Sequence, residues 1–300
     1  MTPPSRHSFV PFIAAFAGVA LFSCMDAVMK SLSLAIGAYN ALFWRSLLGT
    51  LIGGVAMVVM RYPVPRWNVL RVHIWRGIVV TFMALSFFAA LARLPLAEAI
   101  ALSFIAPLIA LYLAALLLKE KIGGGAIVAS ILGLLGVAVI LLGRIQGDYD
   151  REALWGAGLM LISAIFFAYN LILQRQQAQL ASPVEVAFFL NLVMALVPGI
   201  AAPFLAVIPP TNLFLTIGGA ALLAFGSLML LSWAYARAEA QMLIPLEYTA
   251  FIWASIMGWL VFREPLTPTT LAGAALIVAG CLIGAGRKRA HVPPMETTVF

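Results

Sequence analysis

The sequence predicts an all-α polytopic membrane protein with ten transmembrane helices in two inverted five-helix repeats. The first observation behind this prediction is the composition. Of the 300 residues, 64% are apolar or aromatic and only 10% are charged, and the mean hydropathy is +1.07. Soluble domains carry roughly 25% charged residues. This chain has too few charges to cover a surface that faces water, which excludes a soluble enzyme of the ordinary kind.

The second observation is a series of ten continuous apolar runs. A bilayer-spanning helix needs about 20 apolar residues, and this chain has enough for roughly nine or ten such helices. A β-barrel would instead show segments of about ten residues that alternate between apolar and polar. The first run follows Arg6 and His7 and is too long for a signal peptide, so it predicts a retained helix. The predicted helices occupy residues 9–30, 39–60, 72–92, 97–118, 122–143, 154–174, 184–206, 212–236, 240–262 and 266–286.

The distribution of basic residues predicts the orientation. With the N-terminus inside, the inner segments hold 12 Lys and Arg residues and the outer segments hold 5, while Arg45, inside a helix, completes the total of 18. Basic residues collect in cytoplasmic loops, and an even number of spans puts both ends of the chain on one side. We therefore expect both termini in the cytoplasm. The net charge of +7 is attributed to this topology, and no nucleic-acid partner is predicted.

The third observation is an internal repeat with a constant offset of 144 residues. Two hydrophobic halves can align loosely by chance, but matched charges at helix ends argue against chance. Five helices per half is an odd number, so the second half must cross the membrane upside down, as in transporters whose substrate site lies near the midplane. The offset places Phe22 on Phe166, Asp26 on Asn170, Lys30 on Gln174, Glu120 on Glu264 and Gly136 on Gly280.

This repeat predicts the domain organisation. The first five-helix repeat covers residues 1–143 and a periplasmic linker covers 144–153. The inverted second repeat covers 154–286, and a cytoplasmic tail covers 287–300.

Three stretches resemble the signature of the EamA repeat. They are residues 107–120 with Gly136 downstream, residues 246–264, and Phe43-Trp44-Arg45. The chain thus resembles the ten-helix branch of the drug/metabolite transporter superfamily, and within it the bacterial aromatic amino-acid exporters. One departure concerns the proline ahead of the second glutamate, which Phe251 replaces. The ninth helix is therefore expected to kink less than the fourth, or to kink at Pro245 instead.

The resemblance implies a secondary transporter that exports amino acids by alternating access around a central cavity, with aromatic and other bulky neutral ones favoured. It places the protein in the bacterial inner membrane, with a small-molecule substrate and the lipid bilayer as partners. No cofactor and no enzymatic activity are expected, and the oligomeric state stays open. The alternatives are an exporter of other small metabolites or drugs and a non-transporting receptor or scaffold.

Three charges are predicted inside helices, where they are costly and usually functional. Asp26 and Arg45 lie at similar depths in consecutive helices, so they could pair with each other, or Arg45 could extend outward to the interface. Glu247 could face the substrate or begin its helix in water. Glu264 is expected to form an interfacial ion pair beside Arg263.

Aromatic side chains in mid-span predict a symmetric cavity for large, partly apolar substrates. Under the 144-residue offset Phe22 coincides with Phe166, and Phe104 coincides with Tyr248. Methionines would let the cavity adapt its shape. The alternative is that these aromatic residues face lipid or pack between helices. The residues predicted to line the cavity are Phe22, Asp26, Met29, Met83, Phe87, Phe104, Phe166, Tyr169, Asn170, Ser227 and Tyr248.

Motifs of enzymes and pumps are missing from the sequence. There is no Walker A run, and His7, His73 and His291, taken to lie near tails or loops, form no metal set. No catalytic residue and no metal ligand are predicted. The one candidate for an intramembrane enzyme is an aspartic dyad of Asp26 and Glu247, whose predicted depths differ.

Overall fold

The computed structural model describes residues 10–118, 124–145, 151–178, 180–235, 237, 243 and 246–286. Within these ranges every regular element is a helix, which confirms the predicted all-α fold. Two short helical turns, Ala202–Leu205 and Thr211–Leu213, join the seventh and eighth spans. The ten spans, in chain order, are formed by Val10–Val59 (first and second), Trp67–Leu91, Leu96–Ser103 with Ala106–Leu118 (fourth), Gly124–Ile145, Arg151–Ala178, Pro183–Gly199, Phe214–Tyr235, Ala250–Phe262 and Pro268–Gly286.

A single glycine separates the first two spans. Gly37 has φ 79° and ψ 150°, a conformation that glycine adopts freely because it has no Cβ. The helix on either side is otherwise continuous, so the first span extends to about residue 36 and is longer than predicted. Lys30, which was counted with the outer segments, therefore lies inside the first span, and it is 4% exposed.

The surface of the bundle has the character of a membrane protein. Four helices are long and apolar enough to cross a bilayer, namely Val10–Val59, Trp67–Leu91, Arg151–Gln174 and Thr211–Ala234. The remaining spans are shorter apolar helices. Large apolar side chains such as Phe204 and Leu215, each 89% exposed, lie on the outside, where a soluble protein would expose few of them together.

The two halves of the chain are inverted relative to each other. We call the end of the bundle that holds Gly37 the hairpin end, and the opposite end the terminal end. The first span finishes at the hairpin end, whereas the sixth begins there, because Arg93 Nε donates to Glu152 Oε2 at 2.9 Å. The first and sixth spans therefore run antiparallel, as the odd number of helices per repeat requires. The halves pack together chiefly through the first span with the eighth, the third with the sixth and the fifth with the tenth.

The third span begins earlier than predicted. It starts at Trp67 instead of residue 72, directly after an extended stretch that contains Pro63 and Pro65. His73, taken from the sequence to lie near a loop, and Arg76, counted with the inner segments, lie well within this longer helix and are 1% and 4% exposed. With Arg76 and Lys30 removed from the loop count, the bias of basic residues is 11 to 4, in the same direction as before.

Candidate functional site

The fourth and ninth spans are interrupted at equivalent positions. Phe104 and Ile105 form a turn within the fourth span, and Tyr248 and Thr249 form a turn that precedes the helix of the ninth. At both turns the backbone N–H bonds to the third carbonyl back instead of the fourth, with N–O distances of 3.2 Å at Phe104 and 3.0 Å at Thr249. The two turns are separated by the 144-residue offset of the repeat, so the interruption is a symmetric feature of the fold.

The ninth span, which was expected to kink less than the fourth, is interrupted all the same. Phe251 stands where the repeat signature has proline, yet the helix is interrupted at the same place as in the fourth span. The Thr249 hydroxyl donates to the Leu246 carbonyl at 2.6 Å, and such a bond competes with the regular helical ladder. The alternative of a kink at Pro245 falls outside the described residues.

The two turns bring an aromatic pair to the centre of the bundle. The rings of Phe104 and Tyr248 lie 5.2 Å apart at an interplanar angle of 88°, an edge-to-face contact between symmetry-related positions. The pair therefore lies where the two repeats meet. Other predicted cavity residues belong to the same apolar cluster, and Phe167 and Phe251 join it although the sequence did not single them out. The predicted members are Met29, Met83, Phe87, Phe104 and Tyr248.

Two buried charges lie beside each other without forming an ion pair. Asp26 and Arg45 are 2% and 6% exposed and attract each other electrostatically. Asp26 Oδ1 and Arg45 Nε nevertheless have no hydrogen-bond partner among the described residues. With a rise of about 1.5 Å per residue, they lie about 16 and 12 Å from Gly37, so their depths are similar as predicted. The direct pair considered in the sequence analysis is not formed, and both groups are left with unused bonding capacity.

A polar stripe continues from Asp26 along the first span. Ser23, Asp26, Lys30 and Ser33 are all buried, and their spacing of three and four residues puts them on one side of the helix. The hydroxyl groups of Ser33 and of Ser46, the neighbour of Arg45, are buried and without a hydrogen-bond partner among the described residues. The centre of the bundle thus combines opposite charges with unsatisfied hydroxyl groups.

An exposed aromatic ring lies one helical turn from Asp26. Phe22 is 44% exposed. At about 100° per residue, it points to the same side of the helix as Gly18, Met29 and Ser33, all of which are buried. The ring is thus exposed on the packed side of the helix. It lies one helical turn from Asp26 towards the terminal end.

Two predicted cavity residues lie on the outer side of the sixth span. Phe166 stacks with Phe82 at a centroid distance of 6.1 Å, and Phe82 is 48% exposed. The Tyr169 hydroxyl accepts a hydrogen bond from Trp75 Nε1 at 3.1 Å, and Trp75 is 51% exposed. We therefore leave Phe166 and Tyr169 out of the candidate site.

Three further candidates have other surroundings. Asn170 Oδ1 accepts from Arg76 Nε at 2.9 Å, and the Ser227 hydroxyl donates to the Gly18 carbonyl at 2.8 Å. These bonds tie spans together and use the polar groups that a substrate would need. Glu247 is exposed and directly precedes the turn of the ninth span.

A network of polar side chains at the terminal end was not predicted from the sequence. His73 Nε2 lies 3.0 Å from Glu185 Oε1, and its Nδ1 contacts the side chain of Gln177, which also accepts from Arg76. These contacts join the third, sixth and seventh spans. The sequence placed His73 near a loop because the predicted third span began only one residue before it. The prolines before Trp67 were the available signal for an earlier start.

A second charged cluster closes the hairpin end. Lys30 Nζ donates to the Glu264 carboxylate and, at 2.5 Å, to the Leu94 carbonyl. Glu264 Oε2 in turn accepts from the Leu96 N–H at 2.7 Å. One ion pair therefore connects the first span, the ninth span and the start of the fourth.

The sequence analysis assigned these two residues differently. It placed Glu264 beside Arg263, whose guanidinium instead lies 5.6 Å from the ring centroid of Trp259. It placed Lys30 in a loop because the apolar run ended there. The helical spacing of Ser23, Lys30 and Ser33 was a signal that the first helix continues.

A model of the EamA-like transporter family matches residues 10–142 and, a second time, residues 154–284. The two matches together span most of the chain, with one in each half. The chain belongs to the EamA-like transporter family. It is accordingly a multi-pass membrane transporter built from two repeats, which confirms the family resemblance seen in its motifs.

Several curated EamA-like relatives are similar along nearly the whole chain. The pseudopaline exporter CntI of Pseudomonas aeruginosa is 28% identical over 268 residues, covering 87% of this chain and 90% of the relative. An S-adenosylmethionine uptake transporter of Rickettsia bellii is 26% identical, with 87% and 88% covered. A riboflavin transporter of Rhizobium johnstonii is 26% identical, with 93% and 91% covered. Their substrates differ widely, so family membership leaves the substrate open.

A solved crystal structure has the same fold. It aligns with a TM-score of 0.62 at 20% sequence identity and covers 91% of this chain and 96% of its own. For an EamA-like transporter of this fold, the interrupted fourth and ninth spans lie where transporters commonly build their substrate sites from discontinuous helices. Among the described residues, no group of three His, Cys, Asp or Glu side chains could hold a metal ion.

Proposed function

We propose that this EamA-like transporter exports amino acids from the cytoplasm, with aromatic and other bulky neutral ones favoured. The observation that carries the proposal is the pair of buried, opposite charges at Asp26 and Arg45, each with an atom that has no hydrogen-bond partner among the described residues. A free amino acid carries an ammonium and a carboxylate on the same carbon. It would supply a partner to both residues at once.

The energetics of buried charges support this assignment. A charge inside a membrane helix bundle is costly unless it is paired, and Asp26 and Arg45 attract each other without direct contact. Hydrogen bonds to charged groups contribute about 1.5–3 kcal/mol each. Each of the two contacts to a zwitterion would then change affinity by roughly tenfold to a hundredfold.

The apolar surroundings support a bulky side chain. The edge-to-face pair of Phe104 and Tyr248 lies at the repeat interface, and Met29, Met83 and Phe87 pack into the same cluster. Aromatic rings there would contact an aromatic substrate edge-on or face-on. The methionines would accept branched or aromatic side chains of different shape.

Alternating access would connect this site to one side of the membrane at a time. The hairpin end is tied together by the Lys30–Glu264 ion pair, whereas the ring of Phe22, nearer the terminal end, is exposed. We propose that the structure corresponds to the state that loads substrate from the cytoplasm. No catalytic step is proposed, because Asp26 is buried and Glu247 is exposed, which offers no support for an aspartic dyad.

This proposal requires the terminal end to face the cytoplasm of a bacterial inner membrane. The bias of basic residues towards that end supports the orientation. Two reporter enzymes are fused after Phe300, one that is active only in the cytoplasm and one that is active only in the periplasm. We expect the first fusion to be active and the second to be inactive. A fusion at Phe204, which is 89% exposed at the hairpin end, serves as the opposite control. Activity of the Phe300 fusion in the periplasm alone would refute the orientation.

A second candidate is export of larger metabolites that carry an amino-acid group. The relatives named for S-adenosylmethionine and pseudopaline favour it, because S-adenosylmethionine contains an α-amino acid head group next to a bulky apolar part. Such a molecule could use the same two charges.

Counterflow in proteoliposomes tests the proposal. Vesicles loaded with unlabelled phenylalanine, tryptophan, threonine or glutamate are placed in the matching labelled compound, with and without a pH gradient. We expect accumulation of phenylalanine and tryptophan to exceed that of glutamate. If none of the four moves, while labelled S-adenosylmethionine or riboflavin does, the substrate class is wrong and the second candidate or another metabolite replaces it.

The central aromatic pair should set the selectivity of transport. We expect Phe104→Ala and Tyr248→Ala to lower phenylalanine and tryptophan flux relative to threonine flux by about two- to tenfold, because each removes an aromatic contact of roughly 0.5–1.5 kcal/mol. Phe82→Ala, on the outer side of the third span, is the matched control and should leave the ratio unchanged. Parental fluxes of all four amino acids in both central variants would contradict this position of the cavity.

A further inference from the structure

The charged cluster at the hairpin end holds that end of the bundle shut. Lys30 bonds to the Glu264 carboxylate and the Leu94 carbonyl, and its ammonium lies 4.9 Å from the ring centroid of Phe262. Glu264 also accepts from the Leu96 N–H. The neighbouring residues Leu94 and Leu96 are 2% and 0% exposed. Apolar packing therefore excludes water from the closed end, in addition to the hydrogen bonds that hold it.

Opening the hairpin end requires the ion pair to separate. Lys30 lies on the first span and Glu264 at the end of the ninth, and alternating access moves such elements of the two repeats apart. A lysine that loses its carboxylate inside the bundle would be a costly unpaired charge. The Glu264 side chain is 18% exposed and would meet water as the end opens, so the greater cost falls on Lys30.

A second carboxylate lies within reach of Lys30 on its own helix. Asp26 precedes Lys30 by four residues on the same buried side, and Oδ1 of Asp26 has no hydrogen-bond partner among the described residues. Helical residues four apart are neighbours, with about 5–6 Å between their Cβ atoms, and an acidic residue before a basic one is the favourable order. Lys30 can therefore change partners by a side-chain movement alone.

We propose that Lys30 exchanges Glu264 for Asp26 when the hairpin end opens, and so displaces the ammonium group of the substrate from Asp26. While the end is closed, Lys30 is held by Glu264 and Asp26 can bind substrate. When the end opens, the same cation takes the place of the substrate, which leaves towards the opened side. The displacement step rests on the proposed function, whereas the partner exchange itself does not.

The repeat makes this device one-sided. Under the 144-residue offset, Asp26 corresponds to Asn170 and Lys30 to Gln174, both of which are neutral. Gln174 is exposed at the terminal end, in contrast to the buried Lys30. Glu120, the counterpart of Glu264, lies outside the described residues. Charge exchange is thus possible at the hairpin end. The neutral residues Asn170 and Gln174 cannot repeat it at the terminal end.

Thiol labelling without substrate tests the gate. A protein with Cys24→Ser, Cys281→Ser and a reporter at Ala97→Cys, a position 6% exposed beside Leu96, is treated with a maleimide in detergent. We expect Lys30→Gln and Glu264→Gln each to raise the labelling rate by about tenfold, because the open population increases when the closed state loses its ion pair. A reporter at Leu205→Cys, 56% exposed at the same end, should label equally in every variant.

Adding Asp26→Asn tests the exchange of partners. In the Glu264→Gln protein, Lys30 is expected to pair with Asp26 and favour the open state, so Asp26→Asn should lower the labelling rate again. In the Lys30→Gln protein no such pair can form, and Asp26→Asn should leave the rate unchanged. If Lys30→Gln does not fold, the comparison of Glu264→Gln with the Glu264→Gln, Asp26→Asn double variant suffices. Lys30→Arg then serves as the control that retains the charge.

Two results would overturn the proposal. If Glu264→Gln labels at the parental rate, the ion pair is not a gate. If Asp26→Asn has the same effect whether or not Lys30 is present, Asp26 does not receive the lysine. Both readouts are independent of substrate, so failure of amino-acid transport in proteoliposomes would refute the proposed function and leave these outcomes interpretable.

Discussion

Replacing Asp26 with asparagine should leave the protein folded and remove most of its transport. Asparagine has nearly the same shape, and it costs less to bury because it is neutral. It cannot hold an ammonium group by charge, and the loss of one charge-assisted hydrogen bond of about 1.5–3 kcal/mol lowers affinity by roughly tenfold or more. The second repeat already carries an amide, Asn170, at the equivalent position. We would measure phenylalanine counterflow together with the melting temperature in detergent.

The matched control for this prediction is Glu152→Gln. Glu152 is a carboxylate at the hairpin end whose side chain is 69% exposed and pairs with Arg93, so its removal should affect neither folding nor transport. Parental counterflow by the Asp26→Asn protein across neutral pH would show that Asp26 neither binds the substrate nor takes part in coupling. A lowered melting temperature with normal flux would assign it a structural role.

Substituting leucine for Gly136 should prevent the two repeats from packing. A Cβ atom at this position would lie 2.6 Å from the Gly273 carbonyl oxygen and 3.0 Å from the Ile277 backbone nitrogen. Backbone atoms of a neighbouring helix cannot turn aside as a side chain does, and small residues are what allow such close helix contact in membranes. Overpacking costs about 1–3 kcal/mol or more. We expect loss of the monodisperse peak in size-exclusion chromatography.

The reciprocal change and two controls sharpen this test. Gly273→Leu should have a similar effect, because its Cβ would lie 2.6 Å from the Gly136 carbonyl oxygen. Gly158→Leu and Gly218→Leu add the same bulk at positions with nothing within 4 Å, and should behave like the parent. If Gly136→Leu elutes and melts as these controls do, the fifth and tenth spans are not held by the close glycine contact.

Part of the proposed site was predictable from the sequence. Asp26 and Arg45 were found because a charge within an apolar run is visible in one dimension, and Phe104 and Tyr248 because the repeat aligns them. Phe166 was aligned with Phe22 by the same argument, yet it stacks with Phe82 on the outer side of the bundle. An offset equates positions along the chain, whereas exposure depends on which helix packs alongside.

Composition, run length and the 144-residue offset determined that the chain is a ten-span membrane protein built from two repeats. These properties are sums over local sequence, and the bilayer acts on them segment by segment. The tertiary structure alone decided the pairing of Lys30 with Glu264, residues 234 positions apart. It also decided that Asp26 and Arg45 approach without direct contact and that the third span begins early enough to bury His73. The physical reason is that partners, exposure and helix ends depend on the packing of spans distant in the chain, and hydropathy carries no information about which faces meet.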